Sequence, residues 1–306
     1  MKLGVTVATY RRPKGLDRLL SSIAEAEVPK GAELLVVVVD NDPEGSSRDI
    51  VDQYASLLET HYEIEPERGI PFVRNRGVRA ALDLGATHIL FVDDDERVDE
   101  QWLVGIASAR ARLDAPIIAG TIISEFEEDP PRWAIDSGAF QRRIREDGAS
   151  IDFATTANSM VDAELLAGRP GPFDTRLRYS GGSDLQLFAE LHNEGHQIRC
   201  TTAATTYELY PQSRVTKEWL LKRQRRRGTN RSTTLRLTGG GPSRYAKRIV
   251  AGCYEMLAGL VQTARGWVGR DEVGRLKGRM RFMYGVGMLA GLFGARVDEY
   301  RTHHGS

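Results

Sequence analysis

The chain has 306 residues with 42 basic and 42 acidic side chains, no formal net charge, and 41% hydrophobic residues. That is enough to bury a core without disulfides or a structural metal. Its two cysteines, Cys200 and Cys253, exclude a disulfide scaffold and a cysteine-based zinc module, and they fit a reducing compartment. The apolar stretch within residues 1–10 is too short for a signal peptide, and no run of about 18 uncharged apolar residues reads as a transmembrane helix, so a cytoplasmic protein is expected. The balance of charge is uneven along the chain. Residues 1–200 carry 22 basic and 35 acidic side chains, a net −13; residues 201–306 carry 20 and 7, a net +13. Acidic clusters hold cations, and basic segments meet phosphates or anionic lipid.

In chain order, residues 3–8 read as a buried strand and 15–26 as a helix, with Leu16, Leu19, Leu20 and Ile23 at helical spacing. Residues 34–39, Leu-Leu-Val-Val-Val-Val, are a continuous apolar run rich in β-branched residues, as in a parallel strand covered on both faces. Ser46 and Ser47 are expected to cap a helix reaching about residue 58. A weak strand at 62–64, a helix over 71–84, a strong strand at 88–92, a helix over 100–112 and a strand at 116–123 follow. Residues 127–150 read as an irregular loop. Beyond it are a strand at 155–161, a short helix at 163–166, a helix opened by residues 181–184 and continuing to 195, short strands at 197–201 and 203–208, and a basic helix at 216–227. Residues 229–243 read as a polar linker, followed by two apolar segments with basic flanks at 249–261 and 282–293. The alternation of strands and helices predicts a three-layer α/β fold with a mostly parallel sheet. The chain divides at about residue 230 into a catalytic part and a basic, apolar helical extension of 231–306.

In open α/β sheets ligands sit beyond the carboxyl ends of the strands. Thr9 to Arg12, Asp40 to Asp42 and Asp93 to Asp95 all follow strands, so they should converge. Asp93-Asp94-Asp95 is the sharpest feature. At a strand end Asp93 and Asp95 point the same way, and hard carboxylate oxygens with few other ligands suit Mg²⁺ or Mn²⁺ held jointly with a diphosphate. An acidic cap of the next helix is the plainer alternative. Asp40 either accepts hydrogen bonds from a base or ribose or serves as a turn residue before Pro43. Arg74 and Asn75 offer donors, or a solvated helix face. His192 and His196 lack a third ligand and read as surface residues, and the basic run 222–227 lacks the interleaved aromatics of a nucleic-acid reader. There is no glycine-rich dinucleotide fingerprint after the first strand, which argues against a dehydrogenase.

The order Val7-Ala8-Thr9-Tyr10-Arg11-Arg12, Val39-Asp40-Asn41, Arg74-Asn75-Arg76-Gly77 and Phe91-Val92-Asp93-Asp94-Asp95-Glu96 resembles bacterial glycosyltransferase family 2, with its GT-A fold. Thr156-Ala157-Asn158-Ser159-Met160, Phe173-Asp174, Gly181-Gly182-Ser183-Asp184 and Glu208-Leu209-Tyr210-Pro211 with Trp219 continue the pattern over roughly residues 1–230. The resemblance implies an inverting transfer of sugar from a nucleotide diphosphate, UDP by default, to a glycan, lipid-linked or small-molecule acceptor, as in polysaccharide biosynthesis. Thr9, Tyr10, Arg12, Asp40, Arg74, Asn75, Asp93 and Asp94 would then hold the donor. Asp95 and Asp93 would hold Mn²⁺ or Mg²⁺. Glu208 would either join them or hold a basic residue. Asp184 would be the general base, and Gly182, Ser183 and Trp219 would meet the acceptor. The family pattern Gly-Gly-Glu-Asp has Ser183 in place of its Glu, so contacts credited to that Glu are missing. The competing readings are a sugar nucleotidyltransferase, which should carry a glycine-rich loop after the first strand, and a non-catalytic binding protein derived from the family. The C-terminal helices are expected to lie on an anionic membrane face, to pack on the catalytic part, or to pair two copies as a homodimer.

Overall fold

A computed structural model of the chain describes residues 1–239 and 241–295. It opens with β1 (Lys2–Thr9), α1 (Pro13–Glu25), β2 (Glu33–Asp40), α2 (Arg48–Gln53), β3 (Glu59–Ile64), α3 (Ile70–Asp83) and β4 (His88–Asp93). The strands β3, β2, β1 and β4 lie side by side in parallel. Successive side chains of a strand point to opposite faces, and here both faces are covered. Leu3, Val5, Val7, Val36, Val38, Leu90 and Val92 pack with Leu16, Leu19, Leu20 and Ile23 of α1. Leu35, Val37, Val39, Ile89 and Phe91 pack against Val73, Val78 and Ala81 of α3. This double burial is the reason these strands are almost continuously apolar.

Beyond β4 the sheet becomes mixed. β5 (Glu96–Val98), α4 (Trp102–Leu113), β6 (Ile117–Phe126), α5 (Arg132–Ser137), β7 (Ser150–Ile151), β8 (Asn158–Asp162), α6 (Glu164–Ala167), α7 (Ser183–Asn193) and β9 (Ile198–Tyr210) complete it. The strand order is β3-β2-β1-β4-β8-β6-β9-β5, with β7 also on β9. β8 runs antiparallel between β4 and β6, and β6 pairs with β9 in parallel. Trp102, Leu103 and Ile106 of α4 enter the α1 layer, and Leu187, Phe188 and Leu191 of α7 enter the α3 layer.

Three helices close the described chain: α8 (Lys217–Leu237), α9 (Pro242–Val268) and α10 (Glu272–Leu292). α10 packs on both others through glycines. A Cβ at Gly287 would stand 2.0 Å from Arg225 O of α8, and one at Gly259 of α9 would stand 2.6 Å from Gly278 O. The helices approach too closely for any side chain at those points.

Several elements depart from the sequence expectation. α2 ends at Gln53, and Ser47 makes no side-chain cap bond. The stretch 127–150 contains α5, whose Ala134 joins a cluster with Phe140, Tyr210, Val215, Leu220 and Leu276; a short apolar patch buried by remote partners carries no periodic signal. The two expected strands at 197–208 are one strand, β9, with a register shift opposite Ala119 and Thr121. Residues 229–237 are the last turns of α8 rather than a linker, so the division at 230 falls inside a helix; Thr229, Ser232 and Thr233 are polar yet buried there. The last 11 residues of the extension, 296–306, lie outside the described residues.

Candidate active site

The parallel register aligns Thr9 with Asp40 and Ala8 with Asp93, so the first loops leave one sheet edge together. Along that edge the acidic triad is threaded with cations. Thr9 Oγ donates to Asp94 Oδ2 at 3.0 Å, and Arg12 Nη1 donates to Asp94 Oδ1 at 2.9 Å and to Asp95 Oδ2 at 3.3 Å. Arg74 Nη2 donates to Asp93 Oδ1 at 3.0 Å. Arg214, just after β9, donates to Asp95 Oδ2 at 2.9 Å, and Arg18 donates to the Asp95 carbonyl at 2.7 Å.

Burial and like charge divide the carboxyls. Burial raises Asp93 despite Arg74, and Asp95 and Asp184 add to the rise. Burial pushes Asp94 up to about 6 against the pull of Arg12. At Asp95 burial also works against ionisation, but Arg214 and Arg12 outweigh it and hold the carboxyl below its usual range. Glu96 is raised well above the usual carboxylate range by complete burial and by the charges of Asp93 and Glu208. It accepts from the Asp93 backbone N–H at 3.1 Å and from Thr206 Oγ at 3.3 Å. In the β5–β9 ladder Glu96 stands directly opposite Glu208, and Arg142 donates to Glu208 Oε2 at 2.9 Å. Like charges opposed across strands destabilise a sheet; Arg142 offsets one of them.

The edge opens into a cleft of about 1450 Å³. Thr9, Tyr10, Arg12, Arg74 and the three aspartates line one side. Gly182 and the half-buried Asp184, at the start of α7, line another. Trp219 lines it from α8, with its ring stacked on Phe140 at 6.1 Å and 4°. Thr216 caps α8 by accepting from the Trp219 backbone N–H at 3.1 Å, which sets where that ring starts. A cationic wall that includes Arg226, Arg227, Arg231, Lys247 and Arg248 completes the cleft.

Thus Thr9, Tyr10, Arg12, Arg74, Asp93, Asp94, Asp95, Gly182, Asp184, Glu208 and Trp219 do share one cleft. Three sequence candidates lie elsewhere. Asp40 is fully buried and does not line it; its carboxylate accepts from the backbone N–H groups of Asp42 (2.9 Å) and Ser47 (2.8 Å) and from Tyr62 O–H (2.9 Å), the turn role. Asn75 has both side-chain atoms bonded to the Phe173 backbone, each at 2.9 Å, and so ties α3 to the segment before α7. Ser183 is fully buried, and its Oγ has no hydrogen-bond partner among the described residues. Of the two roles open to Glu208, the structure shows the second, holding Arg142.

Sequence reasoning placed Asn41 only within the 40–42 strand end, with no role of its own, and missed Arg68 and Arg142. Asn41 lines the cleft while bonding the carbonyls of Glu65 and Glu67 and the Gly69 N–H. Arg68 lies over the Tyr10 ring at 3.5 Å. The dense arginines at 142–145, inside an apparent loop, were the available signal for Arg142.

These features define a GT-A-type α/β architecture, and comparison with known proteins agrees. The glycosyl transferase family 2 model matches residues 5–168, and the chain belongs to that family. The chain is 29% identical over 307 residues to succinoglycan biosynthesis protein ExoM of Rhizobium meliloti, a match covering 98% of this chain and 96% of ExoM. It is 33% identical over 110 residues to the poly(ribitol-phosphate) beta-N-acetylglucosaminyltransferase TarS of Staphylococcus aureus, a match spanning 18% of TarS. Crystal structures of S. aureus TarS 1–349 share the fold. The complex with UDP superposes with a TM-score of 0.53 at 15% identity, covering 96% of this chain and 92% of that one. The complex with UDP-GlcNAc gives 0.54 at 15% identity, covering 95% and 91%.

Proposed function

We propose that this family 2 glycosyltransferase moves a sugar, with inversion, from a UDP-sugar to the hydroxyl of a glycan, lipid-linked or small-molecule acceptor. The observation that carries the reading is that Asp184 lines the same cleft as the strand-end triad. The acceptor oxygen attacks the anomeric carbon as its proton passes to the Asp184 carboxylate. The bond from that carbon to the phosphate oxygen breaks, and the nucleotide diphosphate leaves with the electron pair. Thr9, Tyr10 and Arg12 hold the nucleotide side of the donor. Arg74 and Arg214 orient Asp93 and Asp95. The bound UDP and UDP-GlcNAc of the TarS structures support UDP as the donor nucleotide.

The donor set fits a hard divalent ion. Asp93 and Asp95 present carboxylate oxygens at the cleft, and burial together with the neighbouring carboxylates disfavours negative charge at Asp93 and Glu96, which added positive charge would relieve. Among the described residues no three His, Cys, Asp or Glu side chains gather into a metal cage. Mg²⁺ or Mn²⁺ would therefore be held by one or two carboxylates, with diphosphate and water completing the shell. Asp95 and Asp93 would hold it, and when bound it supplies Lewis-acid stabilisation of the leaving diphosphate. Glu208, engaged by Arg142, is not assigned to it.

Thermal unfolding with a panel of nucleotides and nucleotide sugars, with and without Mn²⁺ or Mg²⁺, tests this reading. Ligand at 100 times its dissociation constant adds about 2.7 kcal/mol of stability. A shift with uridine nucleotides that needs metal and is lost in Asp95→Ala is expected. No shift with any nucleotide would overturn the reading in favour of a non-catalytic binding protein.

A further inference from the structure

Among the described residues, none covers the outward side of α9. Over its 27 residues, about 40 Å at 1.5 Å per residue, the inward side is set by Gly252, Gly259 and Gly266 against α10. The opposite side carries Val250, Tyr254, Leu257, Val261, Trp267 and Val268. Spacings of four, three, four and seven residues keep Val250, Tyr254, Leu257, Val261 and Val268 on one face, and Trp267 flanks it, with the Arg275 guanidinium of α10 4.7 Å from its ring. Val250 is 68% exposed, Leu257 64%, Trp267 69% and Val268 89%. A scattered exposed leucine is ordinary, but a continuous apolar face of this length marks an interaction surface.

The charges around it select the partner. Exposed Arg265 and Lys247, the latter also lining the cleft, are 18 positions apart, about five helical turns, and so border the same edge of the stripe. The single acidic residue of α9, Glu255, is turned inward onto Arg281 of α10 at 2.8 Å. A second copy meeting this one in an antiparallel face-to-face pair would set the same cationic border against itself. An anionic lipid surface meets both the apolar stripe and the basic edge. Tyr254 and Trp267 have the amphipathic rings that favour a membrane interface. None of the described helices is long and apolar enough to cross a membrane.

We infer that α9 lies in the plane of an anionic phospholipid bilayer, its Val250–Leu257–Val268 face sunk about 5–10 Å into the headgroup and acyl boundary. This inference is independent of the donor and of the reaction.

Vesicle flotation of the full chain tests it. The wild type is expected to float with phosphatidylcholine–phosphatidylglycerol vesicles, and much less with phosphatidylcholine alone or in high salt, which screens the basic edge. Leu257→Glu with Val261→Glu, both far from the acidic triad, should lower partitioning by about tenfold or more per substitution. Failure of the wild type to float, or equal flotation of the double variant, would overturn the inference. So would a wild-type dimer that the double variant splits without any vesicle binding, since the face would then belong to a second copy. A milder variant guards against misfolding of the first. Brominated lipid should quench the tryptophan fluorescence of the wild type but not that of Trp267→Phe; equal quenching in both would overturn the inference.

Discussion

Arg214 donates a 2.9 Å hydrogen bond to Asp95 Oδ2 from 119 residues further along the chain, so the turn after β9 is tied to the end of β4. The same oxygen also receives Arg12, at 3.3 Å. Arg214 and Arg12 together hold the Asp95 carboxyl below its ordinary range. Arg214→Ala should cost about 1.5–3 kcal/mol, as for a lost hydrogen bond to a charged group. The denaturant midpoint measures that loss. Nucleotide-induced stabilisation should fall as well, because Asp95 loses the partner that keeps it ionised and oriented.

Asp184 enters the cleft from the first turn of α7, behind Gly182 in a left-handed conformation (φ 88°). Asp184→Asn keeps its shape and removes its basicity. Transfer to acceptor should fall by about 10²- to 10⁴-fold. Thermal stabilisation by the nucleotide should persist. A variant that keeps full turnover would remove Asp184 from the reaction.

His88 sits at the start of β4, with Nδ1 2.9 Å from Thr87 Oγ and Nε2 3.5 Å from Asp162. Burial lowers its pKa; Asp162 opposes this and Arg110 adds to it. The unfolded chain therefore binds a proton in a window below about 6.5 that the folded chain does not. His88 contributes stability that is fully present above that pH and is lost as pH falls toward its folded value. Melting temperatures from pH 8 to 5 for the wild type and His88→Gln should show the wild type losing stability relative to the variant through that window. Parallel curves would refute the assignment.

Gly287 lets α10 close on α8. A Cβ there would meet Arg225 O at 2.0 Å and Thr229 N at 3.0 Å, both backbone atoms that cannot swing aside. Gly287→Ala should destabilise the chain by about 1–3 kcal/mol, the usual range for overpacking. Chemical denaturation reads this directly. Because α8 also carries Trp219 and part of the cationic wall, acceptor saturation should weaken along with stability.

The fold's first half was readable because double burial writes itself into sequence. The valine run of β2 and the alternate packing of Val36 and Val37 to opposite layers follow from helices on both faces. The acidic triad was readable because strand ends in a parallel sheet face ligands. Asp184 was readable through a local motif. By contrast, Asp40 and Asn75 looked like ligand contacts, since any polar residue after a strand or along α3 has that appearance. Their actual partners, Ser47 and Tyr62 for Asp40 and Phe173 for Asn75, are chosen by packing. The polar turns of α8 at 229–237 carry no apolar period because glycine-mediated helix contact, rather than an apolar stripe, buries them.

By itself, then, the sequence determined the parallel strands, the carboxylates at their ends, the asymmetry of charge and the family, because each depends on residues near one another in the chain. Only the tertiary structure decided that burial raises Asp93 and Glu96 while Arg214 and Arg12 lower Asp95, that Glu208 is held by Arg142, that Ser183 is buried beside the cleft, and that the apolar face of α9 points outward. Those outcomes depend on which remote side chains share a low-dielectric space and on which face of a helix its neighbours leave open. Both are set by packing across distances that no local pattern encodes.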